Sequence, residues 1–589
     1  MRHSRSRILV GVAVAAAAAL APGQSATATP DRSDTAPQRI DDRPDEQNDA
    51  RRAAVEEAVS QVLQGEAKPV TKGSGKSVQI SPGQWAQYGL QSTDSILTFL
   101  IEFGDQVDSR FPTAPTGPQH NEIPEPDRAV DNTTYWVDDF NRDHFQDMFF
   151  GDGESMSSVY KEMSSGRYTV KGDTSEWVTV PYNSASYGQT ESQTDMTRFI
   201  QDGATAWYEH QKASGKTDAD ITAYLREFDQ WDRFDYDKDG VFTEPDGYID
   251  HFQAVHAGEG EEAGAPEWTI WSHRWSVGQR SGGGPEWNRN GGVQIGNTGL
   301  WIRDYTTEPE NGGLGVFAHE FGHDLGLPDL YDTSGGENGT GFWTLMSSGS
   351  WLGHGQDSIG TTPNHMGAWE KLQLGWLDYV TVPHDAVDVA VMLGPSAHAT
   401  KKQQALVVTL PKDANGRDRY YIAENRQYTG YDATLKPGPY NFGWGVTKPN
   451  WVEHFPYQDG LLVSYWNTAV SNNNTRTHPG TGRILPVDAR PMATRWSDGA
   501  LTRNRIQTFD STFGVQATDP ISLHREVGDV MTTFDLPAQA PVPVFDDSDP
   551  NRYYDPANPQ GSVKVAGVGV KIRVVQSNQT GKMTVKVNG

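Results

Sequence analysis

No cysteine occurs among the 589 residues of this chain. Its fold therefore has no disulfide, no thiolate nucleophile and no thiolate metal site, and any bound metal must be held by histidines and carboxylates. With 18 Trp and 22 Tyr the chain is too aromatic to stay unfolded over most of its length. At roughly 150 residues per domain, the length predicts several folded units. Asp and Glu number 77 against 49 Lys and Arg, a net charge of −28. That balance opposes binding to nucleic acid or to an anionic membrane surface.

The first residues read as an export signal. Arg2, Arg5 and Arg7 precede an apolar run from Ile8 to Leu20, and Ala26-Thr27-Ala28 offers a cleavage site, so 1–28 is expected to be a signal peptide. The run is shorter than the ~20 residues a membrane-spanning helix needs, and no other stretch approaches that length. The expectation is a secreted, extracellular protein without stable membrane insertion. Strong acidity without cysteine suits an exported protein stabilised by bound cations.

Residues 29–91 are polar, with one helix expected at Ala53 to Leu63 and a Lys/Gly/Ser stretch at Lys72 to Ser77. Position and composition predict a propeptide, with a disordered spacer as the alternative. From 92 to 382 an α+β pattern follows. Ser95 to Phe103 reads as a buried strand, Met156 to Met163 and Met196 to Gln211 as helices, and Arg167 to Val170 with Glu176 to Val180 as a hairpin turning at Gly172-Asp173. From 383 to 589 the chain is β-rich, as one domain or two. Strands are expected at Ala405 to Leu410, Arg419 to Ala423, Leu461 to Trp466, Ser562 to Val565, Val568 to Val575 and Met583 to Val587.

The most informative segment runs from Gly315 to Asp332. On a helix, residues four apart share a face, so His319 and His323 can offer ring nitrogens to one Zn²⁺, with Glu320 beside them as general base for an attacking water. Gly326 permits a sharp turn out of the helix, after which Asp329 can return as third ligand. The long-motif zinc proteases carry His at that place, so Asp324, Asp332 and Glu337 stay open as competitors. Met346 follows His323 by 23 residues, in a turn of small residues between Trp343 and Trp351. It suits the hydrophobic floor of a metzincin zinc site.

The chain resembles the immune inhibitor A family of secreted bacterial metalloproteases. The likeness is carried by His319 to Asp332, by Gly247 to Phe252 with Val255 to Gly264, and by Tyr420 to Gln427 with Pro456 to Trp466. It implies a metzincin-like zinc peptidase domain made as a zymogen and followed by a β-rich C-terminal region.

A second cation site is expected at Asp235-Tyr-Asp237-Lys-Asp239-Gly-Val241, whose alternating carboxylates and following Gly match an EF-hand-type loop. Asp235, Asp237, Asp239, the carbonyl of Val241 and, at the twelfth position, Asp246 would hold a structural Ca²⁺. Glu259, Glu261 and Glu262 form another acidic cluster, and Asp546, Asp547 and Asp549 read as a turn. Together these features predict a monomeric, secreted zinc endopeptidase acting on protein or peptide substrates. The alternative is a secreted polymer-binding or adhesion protein with a degenerate peptidase domain. Latency would come from a propeptide carboxylate such as Asp41, Asp42, Asp45 or Glu46, or from steric occlusion, with Arg51-Arg52 and Lys72 to Lys76 as exposed points for processing.

Overall fold

Between residues 46 and 87 the polar leader is folded. The computed structural model describes residues 40–589 except 129–130, 132, 280–281, 356–358, 398–401, 442–452, 529 and 578–580, so the expected signal peptide lies outside the described residues. Helix α1 (Glu46–Leu63) starts seven residues before the expected helix because Asp45 accepts a hydrogen bond from Gln47 N and caps it. Val70–Lys72, Gly75–Ser81 and Gln84–Gln87 form a three-stranded antiparallel meander. Val78 and Ala86 of that meander pack on Ala58 of α1.

The apolar run from Ile96 becomes the interior of β1 (Thr93–Gln106). It pairs in parallel with β2 (Thr169–Tyr182) and with β3 (His251–His256). The edge strand β4 (His273–Ser276) and β5 (Asp304–Pro309) complete a five-stranded sheet of order β2-β1-β3-β5-β4, in which only the β5/β4 pairing is antiparallel. The expected hairpin around Gly172 is instead the single strand β2. Gly172 is a close-approach residue and not a turn: a Cβ there would lie 2.2 Å from Ile96 O on β1.

Both faces of β1 are covered, which accounts for its nearly continuous apolar sequence. On one face Leu97, Phe99, Ile101 and Phe103 pack with α3 (Gln193–Ala213) through Phe199, Ile200 and Trp207. On the other, Ile96 and Leu100 meet Val159 and Met163 of α2 (Met156–Met163) and Phe317 and Phe321 of α4 (Leu314–Asp324). Every residue of α4 is buried, so the helix carrying the paired histidines runs through the interior.

After α5 (Ala368–Gln373) the chain is β-rich. One sheet has the order β6-β8-β9-β10-β11 and the facing sheet β7-β14-β13-β12. These strands are β6 (Tyr379–Pro383), β7 (Val389–Leu393), β8 (Ala405–Thr409), β9 (Arg419–Arg426), β10 (Gly460–Asn467), β11 (Ile484–Pro486), β12 (Val544–Asp546), β13 (Lys571–Ser577) and β14 (Met583–Asn588). Leu406, Val408, Tyr421 and Val463 of the first sheet share one core with Leu393, Phe545, Ile572 and Val585 of the second, a β-sandwich. Ser562 to Val565, expected as a strand, is loop, and β13 begins at Lys571 and not at Val568. Among the described residues no helix is long and apolar enough to cross a membrane.

Candidate metal centre

Helix α4 ends at a left-handed glycine. Gly326 has φ +107°, Leu327 N donates to Gly322 O at 3.0 Å and Gly326 N to His323 O at 2.9 Å, the two bonds of a Schellman cap. The turn sends the chain back along the helix, so that Asp329 faces the histidines. Asp329 Oδ1 lies 3.1 Å from His323 Nε2 and 3.5 Å from His319 Nε2, and the two Nε2 atoms are 3.0 Å apart. All three residues are buried.

The outer ring nitrogens decide what the inner ones can do. His319 Nδ1 donates to Leu345 O at 2.7 Å and His323 Nδ1 to Leu327 O at 2.8 Å. A neutral imidazole has one proton, so with Nδ1 donating each Nε2 presents a lone pair. Two lone pairs and a carboxylate oxygen then face one another in a buried space, an arrangement that a divalent cation relieves. Asp329 Oδ1 and Glu320 Oε2 are both buried without a hydrogen-bond partner. Burial alone would lower the His323 pKa, but Asp329 outweighs it and lifts it to about 9, so a metal bound there would displace a proton from Nε2 to reach its lone pair. Burial, followed by Asp41, Glu308 and Asp329, drives the Glu320 pKa well above the ordinary range. The pocket favours positive charge, and the donor set fits zinc.

The competitors for third ligand lie elsewhere. Asp324 pairs with Arg233 at 2.9 Å and with His251 Nδ1. Asp332 accepts from Ser334 N at 2.9 Å and Arg476 N at 2.7 Å. Glu337 binds Arg503 Nε at 2.7 Å and Asn504 N at 2.8 Å. Met346 sits beneath α4: a Cβ on Gly322 would come within 2.4 Å of its sulfur.

A third carboxylate, beside Asp329 and Glu320, reaches the site from the leader. Residues 41–43 run parallel to β4, with Arg274 N donating to Asp41 O at 2.8 Å and Arg43 N to Arg274 O at 3.0 Å. Asp41 Oδ2 is 3.7 Å from His319 Nε2, and ligand atoms of Asp41, His319 and Glu320 lie within 4.8 Å of one another. Trp271 Nε1 and Tyr331 Oη donate to the two Asp41 oxygens, each at 2.6 Å. Of the other leader carboxylates, Asp42 pairs with Arg52, Asp45 caps α1 and binds Arg303 at 3.0 Å, and Glu46 is exposed. Trp271 has no local signature in the sequence, because only the approach of β4 brings it here. Tyr331 stands two residues after Asp329 within the motif, and its position there is the signal that could have found it.

Arg51 and Arg52, expected as exposed processing points, are engaged. Arg51 donates to Asp324 O at 3.0 Å and Arg52 to Gly326 O at 3.0 Å, which ties α1 to the end of α4. The segment from Lys72 to Lys76 does form a hairpin turn with Gly73 and Ser74 exposed, but it leans on the acidic loop: Lys72 Nζ donates to Asp239 O at 2.9 Å and Ser74 N to Thr243 Oγ1 at 3.1 Å.

The acidic loop folds with Asp235 (φ 50°), Lys238 (φ 64°) and Gly240 (φ 81°) left-handed. It gathers Asp232, Asp235 and Asp237 at one point and Asp237, Asp239 and Glu244 at another. Asp246, expected at the twelfth position, is not among them. Asp229 accepts from Asp246 N at 2.9 Å and Gly247 N at 3.2 Å and draws that stretch inward, where the Asp246 carboxylate receives Tyr248 N at 3.0 Å. Val241 N donates to Asp239 Oδ1 at 2.6 Å. Burial, with Asp235 and Asp237 nearby, lifts the Asp232 pKa to about 7. Glu259, Glu261 and Glu262 do not converge among the described residues, and Glu262 binds Ser272 Oγ at 2.6 Å. Asp547 accepts from Tyr421 Oη at 2.7 Å within the sandwich core.

The profile of the Immune inhibitor A peptidase M6 catalytic domain matches residues 83–377, and that of the Immune inhibitor A-like metallopeptidase VEG domain matches residues 414–585. Immune inhibitor A of Bacillus thuringiensis subsp. alesti is 32% identical over 393 residues, covering 60% of this chain and 52% of the relative. Pre-pro-metalloprotease PrtV of Vibrio cholerae serotype O1 (strain M66-2) is 34% identical over 303 residues, covering 48% of this chain and 30% of the relative. The chain thus spans about half or less of the length of these relatives.

Proposed function

Because this chain belongs to the immune inhibitor A family of metallopeptidases, we propose that it is a secreted zinc endopeptidase made in latent form. The observation that carries the reading is the convergence of His319 Nε2, His323 Nε2 and Asp329 Oδ1 beside the unpartnered carboxylate oxygen of Glu320. Zinc bound there supplies Lewis acidity to the scissile carbonyl and to the attacking water. The chain's own residues do the rest. The carbonyls of Leu345 and Leu327 hold both imidazoles as neutral donors, and Asp329 contributes the anionic ligand. Glu320 Oε2 takes the proton of the attacking water and returns it to the leaving amine nitrogen. Glu320 retains that free oxygen in a dry site, which favours catalysis over a degenerate binding role. The Met346 floor under α4 supports the metzincin-like reading.

On this reading 1–28 is the signal, 29–91 the propeptide, 92–382 the catalytic domain and 383–589 the β-rich region. A peptide substrate fits the free edge of β4 by strand addition, the place residues 41–43 take here. Asp41, held by Trp271 and Tyr331, closes the site against substrate. Processing begins at the exposed Gly73-Ser74 turn of the hairpin at residues 72–76. A structural Ca²⁺ is held by the loop through Asp232, Asp235 and Asp237, and the protein works as an extracellular monomer on protein substrates.

The test is zinc content together with hydrolysis of casein by the processed protein. Chelation should abolish hydrolysis and zinc restore it. Asp329→Ala should weaken zinc binding by more than the ~10 to 100-fold of an outer-shell change, while Glu337→Ala leaves it intact. If Glu337→Ala loses the metal instead, the third ligand is misassigned.

A further inference from the structure

The turn from Trp343 to Met346 is held from two sides. Facing the metal centre, Leu345 O accepts the His319 Nδ1 proton at 2.7 Å, and Met346 O accepts from Leu330 N at 2.9 Å, next to Asp329. Facing the β-rich region, Trp343 O accepts from Arg426 Nη1 at 2.8 Å. Arg426 lies at the end of β9, is 1% exposed, and stands with its guanidinium carbon 5.6 Å from the Trp343 ring centroid. Its Nη2 donates to Asp432 Oδ1 at 2.6 Å, and the same carboxylate oxygen receives His365 N at 3.2 Å. Glu370 of α5 accepts a hydrogen bond from the Thr344 hydroxyl, and Thr344 Oγ1 accepts from Met346 N at 3.1 Å. One tetrapeptide therefore orients a histidine and the segment bearing Asp329, while its first carbonyl is fixed by an arginine of the other domain.

Resting on the metal-centre reading above, we propose that Arg426 is a positioning residue for the metal centre, so that the β-rich region forms part of the zinc site's outer support. Arg426 touches no ligand. It acts by fixing Trp343 O, which sets the path of the turn and so the direction of Leu345 O towards His319. A guanidinium suits the task because its rigid fork binds Trp343 O and Asp432 together. Its removal would leave Asp432, Glu424 and Glu370 buried with less compensating charge.

The experiment measures the zinc dissociation constant of the full chain by chelator competition, with the visible spectrum of the Co²⁺-loaded protein and a thermal melt alongside. Arg426→Met should weaken zinc binding by about 10 to 100-fold, the range for outer-shell partners of metal ligands, and alter the Co²⁺ spectrum. Arg426→Lys should recover part of the affinity by reaching one acceptor. Tyr421→Phe, which removes the hydrogen bond to Asp547 in the sandwich core, should lower the melting temperature while leaving zinc affinity and spectrum unchanged. If Arg426→Met does not fold, Asp432→Asn and Arg426→Lys carry the comparison, each with reduced zinc affinity expected. Wild-type affinity and spectrum in the folded Arg426 and Asp432 variants would overturn the proposal, leaving the metal centre itself intact. A wild-type protein that binds no zinc would overturn the metal-centre reading instead.

Discussion

Replacing Asp41 with alanine in the uncut protein tests latency most directly. Its carboxylate accepts one hydrogen bond from Trp271 and one from Tyr331, each 2.6 Å long. Hydrogen bonds to a charged group contribute about 1.5–3 kcal/mol each, so the pair is worth about 3–6 kcal/mol gross. Burial and the neighbouring Asp329 raise the Asp41 pKa, which offsets part of that gain. A net of about 3 kcal/mol corresponds to a change of about 100-fold in the ratio of closed to open site. The Asp41→Ala protein should therefore cleave a quenched fluorescent peptide about 100-fold faster than wild type before either chain is cut, with gel samples confirming that both are intact. Glu46→Ala, at an exposed position on α1, should leave the rate unchanged. After full processing the Asp41 variant and wild type should be equally active. Equal rates for the two uncut proteins, with normal activity after cleavage, would refute the closing role of Asp41.

Glu320→Gln should keep its zinc and lose about 10² to 10⁴-fold in turnover, because the proton acceptor is removed and the ligands are not; elemental analysis paired with kinetics checks this. Added Ca²⁺ should raise the melting temperature, with about 2.7 kcal/mol gained at 100 times the dissociation constant, and Asp237→Ala should abolish the response. His256 on β3 has its pKa pushed down to about 4 by burial, so between pH 6.5 and pH 4 the unfolded chain binds a proton that the folded chain refuses. Folding stability attributable to this residue is complete above pH 6.5 and falls by about 3 kcal/mol on acidification through that window. Denaturant titrations of wild type and His256→Gln at pH 7 and pH 4 should show the variant gaining by that amount at the lower pH.

Local spacing was sufficient wherever the geometry is local. His319, Glu320 and His323 lie within one helical turn, and the expected span of α2 coincides with the helix because a capped amphipathic segment is specified by its own residues. Gly326 announced the turn that brings Asp329 back, since few residues other than glycine tolerate φ +107°. Gly172 misled for the converse reason. A glycine that makes room for a neighbouring strand has the same local signature as one that makes a turn, and only the parallel pairing of β1 with β2 distinguishes them. Asp246 was misplaced because Asp229, 17 residues earlier, competes for its backbone. Four leader carboxylates were equivalent in sequence. The one that reaches the paired histidines was decided by the pairing of residues 41–43 with β4 and by donors at Trp271 and Tyr331, more than 200 residues away. A helix motif thus specifies which side chains can bind a metal, because its geometry repeats every turn. What surrounds those side chains depends on contacts between distant segments, such as Arg426 with Trp343, whose register no local pattern encodes.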